Sequence, residues 1–196
     1  MHLTMPKARR WTTLNARRCT RVEYDRLVET GVLGKDDPVE LLDGRLVVRE
    51  SHGVRHATAV VLAHRALERS FGRSFHVRGQ LPVALDDWSE PEPDLAVVRG
   101  RERDYLDGHP ASPVLIVEIA DDSLAHDRLR KGRAYARAGI REYWIVNLVH
   151  DLLEVRRQPA RGRRGWGYRR VRLLKRGATI KPLAARRPTR VADLLP

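Results

Sequence analysis

Val114-Leu115-Ile116-Val117-Glu118-Ile119 is the run on which the reading of the fold turns. All of it but Glu118 is aliphatic, the pattern of a strand covered on both faces, as parallel strands are. A carboxylate inside such a strand costs several kcal/mol unless a cation, a metal or hydrogen-bond donors compensate it. Glu118 therefore predicts positive charge beside it. A second acid, Asp94, follows Pro93 at the entry to another apolar run, Leu95-Ala96-Val97-Val98. If the two runs are neighbouring strands, their acids converge on one point. Two hard oxygen ligands, with water completing the shell, suit Mg²⁺ or Mn²⁺. The plainer alternatives are that Asp94 caps a turn and that an arginine pairs with Glu118.

Downstream, residues 124–138 predict a helix ended by Gly139, and Glu142 to Val146 a further buried strand. Strand, helix and strand in so short a stretch predict a right-handed parallel crossover. That helix carries Lys131, one of few lysines, with Asp127 four residues earlier. Two readings stand: a solvent-facing ion pair worth a few tenths of a kcal/mol, or an ammonium aimed back at the carboxylates. In the second, Lys131 orients a nucleophilic water or neutralises charge on a pentacovalent phosphate.

Upstream, Thr20-Arg21-Val22-Glu23 is a capping-box pattern opening a helix that Gly31 can stop. Asp43-Gly44 between two apolar runs predicts a hairpin over 39–48. Residues 55–71 lack Gly and Pro and space Ala59, Val60, Ala63, Ala66 and Leu67 as a helix. Phe75 to Val83 is a strand candidate. From Leu152 on, Leu153 and Val155 alternate with charge, glycines follow at 162, 165 and 167, and Tyr168 to Leu174 completes a basic hairpin appended to the sheet. Residues 1–19 read as a poorly ordered basic arm, and 20–196 as one domain that includes the C-terminal hairpin.

With 42% hydrophobic and 32% charged residues in 196, a globular domain with its own core is expected. No apolar run approaches the roughly 20 residues that a bilayer demands, so no membrane span is expected. Cys19 is the single cysteine, which excludes an internal disulfide, and the basic N-terminus has no apolar segment; a cytoplasmic location is expected. His52 and His56 lack the glutamate and third ligand of a zinc site. The net charge of +13 is unevenly placed. Residues 156–196 hold 14 Lys and Arg against Asp193 alone, residues 1–22 hold six and no acid, and the middle is net negative. Basic ends of this kind favour polyanions.

Pro93-Asp94, Val117-Glu118-Ile119 24 residues later, and then a helix and another strand resemble the P-D…(D/E)-x-K nuclease superfamily. Glu40-Leu41-Leu42-Asp43-Gly44, His56, the phrase Leu85 to Val98, and Lys131 through Tyr135 to Val146 bring the resemblance closer to one branch, the Uma-two-type restriction endonucleases. The resemblance implies an α/β fold: a restriction-endonuclease-like mixed sheet flanked by helices, with an N-terminal hairpin, to which the basic C-terminal hairpin is added. It implies a metal-dependent endonuclease acting on DNA, working as a homodimer. Asp94, Glu118 and the backbone carbonyl of Ile119 would bind Mg²⁺ or Mn²⁺. The superfamily lysine would fall at Ala120, so Lys131 is its replacement. Glu40 resembles an additional site acid, or is an exposed strand residue. His56 would touch water or phosphate at the metal, or merely cap and pack; Tyr135 is core or positions Lys131. Two features depart from the family pattern: Ala120-Asp121-Asp122-Ser123 replaces a Ser-Pro-Ser-like turn, and Asn147 stands where an aspartate is common. One rival is a nucleic-acid-binding protein with this fold and no catalysis. Another, a sugar-processing acid and base pair, is disfavoured by an aromatic content of only 6%.

Overall fold

The computed structural model describes residues 17–34, 37–49 and 53–196. Helix α1 (Arg21–Glu29) opens with the predicted capping box: the Thr20 hydroxyl accepts from Glu23 N–H while the Glu23 carboxylate accepts from Thr20 N–H. Strands β1 (Val39–Leu42) and β2 (Arg45–Val48) form the predicted hairpin. Its turn needs two left-handed residues, and Asp43 and Gly44 supply φ of 55° and 73°. Helix α2 (Val54–Phe71) comes next in the chain and stops at Gly72.

Six strands then build one sheet in the order β3 (Phe75–Gly79), β4 (Leu95–Arg99), β5 (Leu115–Ala120), β6 (Glu142–Asn147), β7 (Leu152–Gly162) and β8 (Gly165–Lys175). Every neighbouring pair is antiparallel except β5 with β6, which are parallel. Their crossover runs through α3 (Leu124–His126), a π-helical turn (Asp127–Lys131) and α4 (Gly132–Arg137). β3 ends at Gly79 and not at Val83, because Gln80 takes a φ of 49° and Pro82 has no N–H to give the ladder.

The pleat divides the core in two. Leu115, Val117 and Ile119 point to the α2 side and pack with Ala59, Ala63 and Leu67; Ile116 and Ala120 point to the α4 side with Ala134 and Tyr135. Each fully buried aliphatic contributes about 1.5–3 kcal/mol. After β8, the pair β9 (Thr179–Ile180) and β10 (Thr189–Arg190) and a 3₁₀ turn bring Val191 and Leu194 onto the α2 side. No expectation covered that closing segment, whose apolar residues are too sparse to show a period.

Order begins before Thr20: Cys19 N–H donates to the Gly44 carbonyl, and the Arg18 guanidinium lies over the Trp88 ring at 4.6 Å. The rest of the expected basic arm, residues 1–16, lies outside the described residues, as does His52. Among the described residues no helix is long and apolar enough to cross a membrane.

Candidate active site

β4 and β5 set Leu95 opposite Val117, so the register carries Asp94 to Glu118. Each acid is held by a backbone N–H at or beside the other: Asp94 N–H donates to Glu118 Oε2 at 3.3 Å, and Ile119 N–H donates to Asp94 Oδ2 at 2.7 Å. In a strand the N–H and C=O of one residue leave on the same edge, so the Ile119 carbonyl also faces the Asp94 side. His56, from α2, places Nε2 at 3.2 Å from Asp94 Oδ2.

Alternation along β5 sends the Glu118 side chain to the α4 side, opposite to its neighbours Val117 and Ile119. There the Tyr135 hydroxyl donates to Glu118 Oε1 at 2.5 Å, and Lys131 Nζ stands 3.0 Å from the same oxygen. Lys131 is also 3.6 Å from Glu40 Oε2, which accepts in addition from Glu92 N–H at 3.0 Å. Lys131 and Tyr135 are four residues apart, one helical turn, so a single face presents both. The π-helical turn that ends at Lys131 widens the coil and re-aims the side chains at its end and beyond. Gly132 completes it, donating its N–H to the Asp127 carbonyl; a Cβ there would come within 3.1 Å of that oxygen.

The solvent-facing reading of Lys131 and Asp127 is thereby overturned, since Lys131 is 8% and Asp127 2% exposed. Glu40, 1% exposed, is not a surface strand residue either. Burial pushes the Glu118 carboxyl up to about 8; Lys131 opposes that, while Asp127 and Asp94 reinforce it. Burial likewise pushes Asp127 up to about 6, against the pull of Lys131 and the Ser123 hydroxyl. Burial would also raise Asp94, but His56 and the Ile119 N–H outweigh it and the net direction is downward. Burial alone would lower Lys131, yet Glu118, Glu40, Asp127 and Asp94 hold it above its ordinary value.

A cleft of about 410 Å³ opens onto this cluster, with Asp121, Asp122 and His126 on its wall. Among the described residues Lys131 is the only lysine or arginine paired with Glu118 or Glu40. Four buried carboxyls, Glu40, Asp94, Glu118 and Asp127, thus surround one ammonium, and negative charge is in excess. Among the described residues no three His, Cys, Asp or Glu side chains converge on a common metal position. A cation between Asp94 and Glu118 would complete its shell from a backbone carbonyl and water, which fits a hard ion such as Mg²⁺ and not a soft one.

All seven residues singled out in the sequence, Glu40, His56, Asp94, Glu118, Ile119, Lys131 and Tyr135, are brought together here. Asp127, Glu92 and Arg49, which pairs with Glu92 at 2.7 Å, were not singled out. Asp127 was visible only as a partner for Lys131. Asn147 is fully buried and donates to Oε1 of Glu154 at 3.1 Å, a carboxylate that Arg128 and Arg156 also engage, so it serves the sheet. The basic hairpin does not clamp the carboxylates. Leu152 pairs with Asn147 beside the cleft, and the chain runs from there to a tip at the opposite end of the sheet.

No functionally curated protein matches the sequence. Among solved structures the chain is similar to a putative nuclease of the DUF820 group from Anabaena variabilis, with a TM-score of 0.67 and 15% identity over 89% of this chain and 96% of that one. At that identity the likeness speaks for the fold. Residues 21–187, which span every element from α1 to β8 and the whole carboxylate cluster, match the Uma2 family, described as "Putative restriction endonuclease", and the chain belongs to that family.

Proposed function

We propose that the chain is a metal-dependent endonuclease hydrolysing phosphodiester bonds in DNA, with Asp94, Glu118 and the Ile119 carbonyl holding Mg²⁺ or Mn²⁺. The observation that carries this reading is the Lys131 ammonium, buried 3.0 Å from Glu118 in a cleft with an excess of carboxylate. When bound, such an ion polarises the scissile phosphate and makes water a nucleophile near neutral pH.

The chain's own residues divide the remaining work. Lys131 stays protonated, so it acts as a fixed positive charge that stabilises the phosphate's developing charge and does not serve as a general base. Glu40 and Glu118 hold it in place. The Tyr135 hydroxyl ties one oxygen of Glu118 and the Asp94 N–H the other, fixing that carboxylate without solvent. His56 and the Ile119 N–H hold Asp94, both through its Oδ2.

The test is nicking of supercoiled plasmid at low salt with Mg²⁺ or Mn²⁺, for wild type and for Asp94→Ala, Glu118→Ala and Lys131→Ala, with DNA binding measured in parallel. Metal-dependent nicking by wild type, lost in all three variants, is expected. One observation favours a second reading, a non-catalytic DNA-binding protein: Asp121 and Asp122 add negative charge to the cleft where a phosphate must enter. Tight binding without nicking, unchanged in the variants, would establish it.

A further inference from the structure

The β7–β8 ribbon outruns the sheet that supports it. Arg157 pairs with Glu142, the first residue of β6; beyond that point β7 runs on for five residues, of which Pro159, Ala160, Arg161 and Gly162 pair, with β8 alone, and the ribbon turns at Arg163-Arg164. At ~3.3 Å per residue the overhang reaches about 16 Å past the sheet, and its tip stands about 26 Å from the level of Glu118.

Arg161, Arg163, Arg164 and Arg169 on this overhang are exposed, and among the described residues none of them forms an ion pair. One face of the overhang is bare. Ala160 stands opposite Gly167 and Gly162 opposite Gly165, with Arg169 next along the same face. The fold does not demand two of those glycines. A Cβ on Gly167 would meet nothing within 4 Å, one on Gly162 only the Gly165 carbonyl at 3.9 Å, and neither has a positive φ. Glycine weakens a strand, and in one it commonly marks the close approach of another backbone.

We infer that the overhang is a nucleic-acid-binding ribbon, its glycine face lying against a duplex while the arginines around the tip neutralise phosphates. A two-stranded ribbon is of a width that the major groove admits, and guanidinium forks match phosphate oxygens. A second copy of the ribbon would set arginine against arginine, which disfavours self-pairing of this edge. The tip lies at the end of the sheet away from the carboxylates, so its contact falls about 8 base pairs from the reacting phosphate at ~3.4 Å per pair. The inference rests on the reading that the chain acts on nucleic acid, and not on cleavage.

The experiment is binding of the full chain to a duplex of about 30 base pairs, well above that span, in EDTA and across a salt series. Wild type is compared with the triple variant Arg161→Ser, Arg163→Ser, Arg164→Ser and with Gly167→Val. The triple variant is expected to bind about 10-fold or more weakly, with the log–log salt slope reduced by up to ~2.7. Gly167→Val is expected to weaken binding without lowering the melting temperature, because valine favours a strand. Wild-type affinity in both variants, or no duplex binding by wild type, overturns the ribbon. Arginine-dependent capture by phosphatidylglycerol vesicles without duplex binding overturns it in favour of an anionic lipid surface. Plasmid nicking in Mg²⁺ separates the two proposals: nicking with ribbon-independent binding removes the ribbon alone, and ribbon-dependent binding without nicking removes the nuclease alone.

Discussion

The two ends of the sheet handle charge in opposite ways. At the carboxylate end Glu40, Asp94, Glu118, Asp127 and Lys131 are all buried, and each is held by another member of the cluster, a backbone N–H or, for Asp127, the Ser123 hydroxyl. At the ribbon end the charges are of one sign, exposed and, among the described residues, without counter-ions. Buried charges interact strongly because little water screens them, and their positions are fixed by the fold. Exposed charges contribute little to the fold and much to long-range attraction. The same chain thus separates a place suited to chemistry from a place suited to capture.

The sharpest way to break this contrast is Lys131→Met. It keeps the length of the side chain and removes the only lysine or arginine that, among the described residues, reaches Glu118. Loss of one transition-state charge partner predicts a fall in plasmid nicking of about 10²–10³. Duplex affinity in EDTA should change little, because Lys131 is buried and lies at the other end of the sheet from the ribbon tip. A parallel loss of affinity would mean that the two ends are not independent.

Much of the carboxylate end was legible in the sequence because buried charge is conspicuous against an aliphatic strand. Glu118 in Val114 to Ile119 could not be ignored, and Asp94 stood at the head of the neighbouring run. The Asp43-Gly44 turn and the Thr20 capping box were legible for a similar reason: local chemistry specifies them within four residues. Two things were hidden. The π-helical turn leaves no periodic mark over five residues, so Asp127 looked like a solvent partner for Lys131. The direction of the hairpin was hidden too, since the composition of a ribbon does not say which end of the sheet its tip will overhang.

Glu154 tests whether burial, and not charge as such, makes the difference. It is 1% exposed and accepts from Arg128, Arg156 and Asn147. Its pairing outweighs the burial that would raise it, and the net direction is downward. Glu154→Ala leaves the buried Asn147 amide and the half-buried Arg156 without this acceptor. A loss of about 3 kcal/mol in denaturant unfolding is expected. A loss under 1 kcal/mol would place this network with the exposed charges.

Glu90 is an intermediate case, buried with its counter-charges only at the outer edge of ion-pair range. Its Oε2 has no hydrogen-bond partner among the described residues and lies 3.8 Å from Arg21. Burial, helped by Asp25, pushes its carboxyl up from 4.5 to about 7. Between those values the folded chain keeps a proton that the unfolded chain releases, so this group's contribution to stability falls as pH rises through the window. Glu90→Gln should therefore melt later than wild type above pH 7, by about 1–2 kcal/mol after allowing for screening by water in the adjoining cleft. The gap should close toward pH 4.5, which thermal melts at several pH values would show. A constant gap would remove the titration as its cause.

The smallest expected effect is the most discriminating. Neutralising Arg161, Arg163 and Arg164 together removes three charges, more than any substitution above, yet none of the three pairs with a carboxylate among the described residues. Their mutual repulsion even opposes the folded turn. The triple variant should match wild type within about 0.5 kcal/mol in denaturant unfolding, or exceed it slightly at low salt. A loss of 2 kcal/mol or more, on the scale of a broken buried network, would mean that the tip arginines hold the fold. The exposed end would then be structural in the way the carboxylate end is, and the division of labour between the two ends would fail.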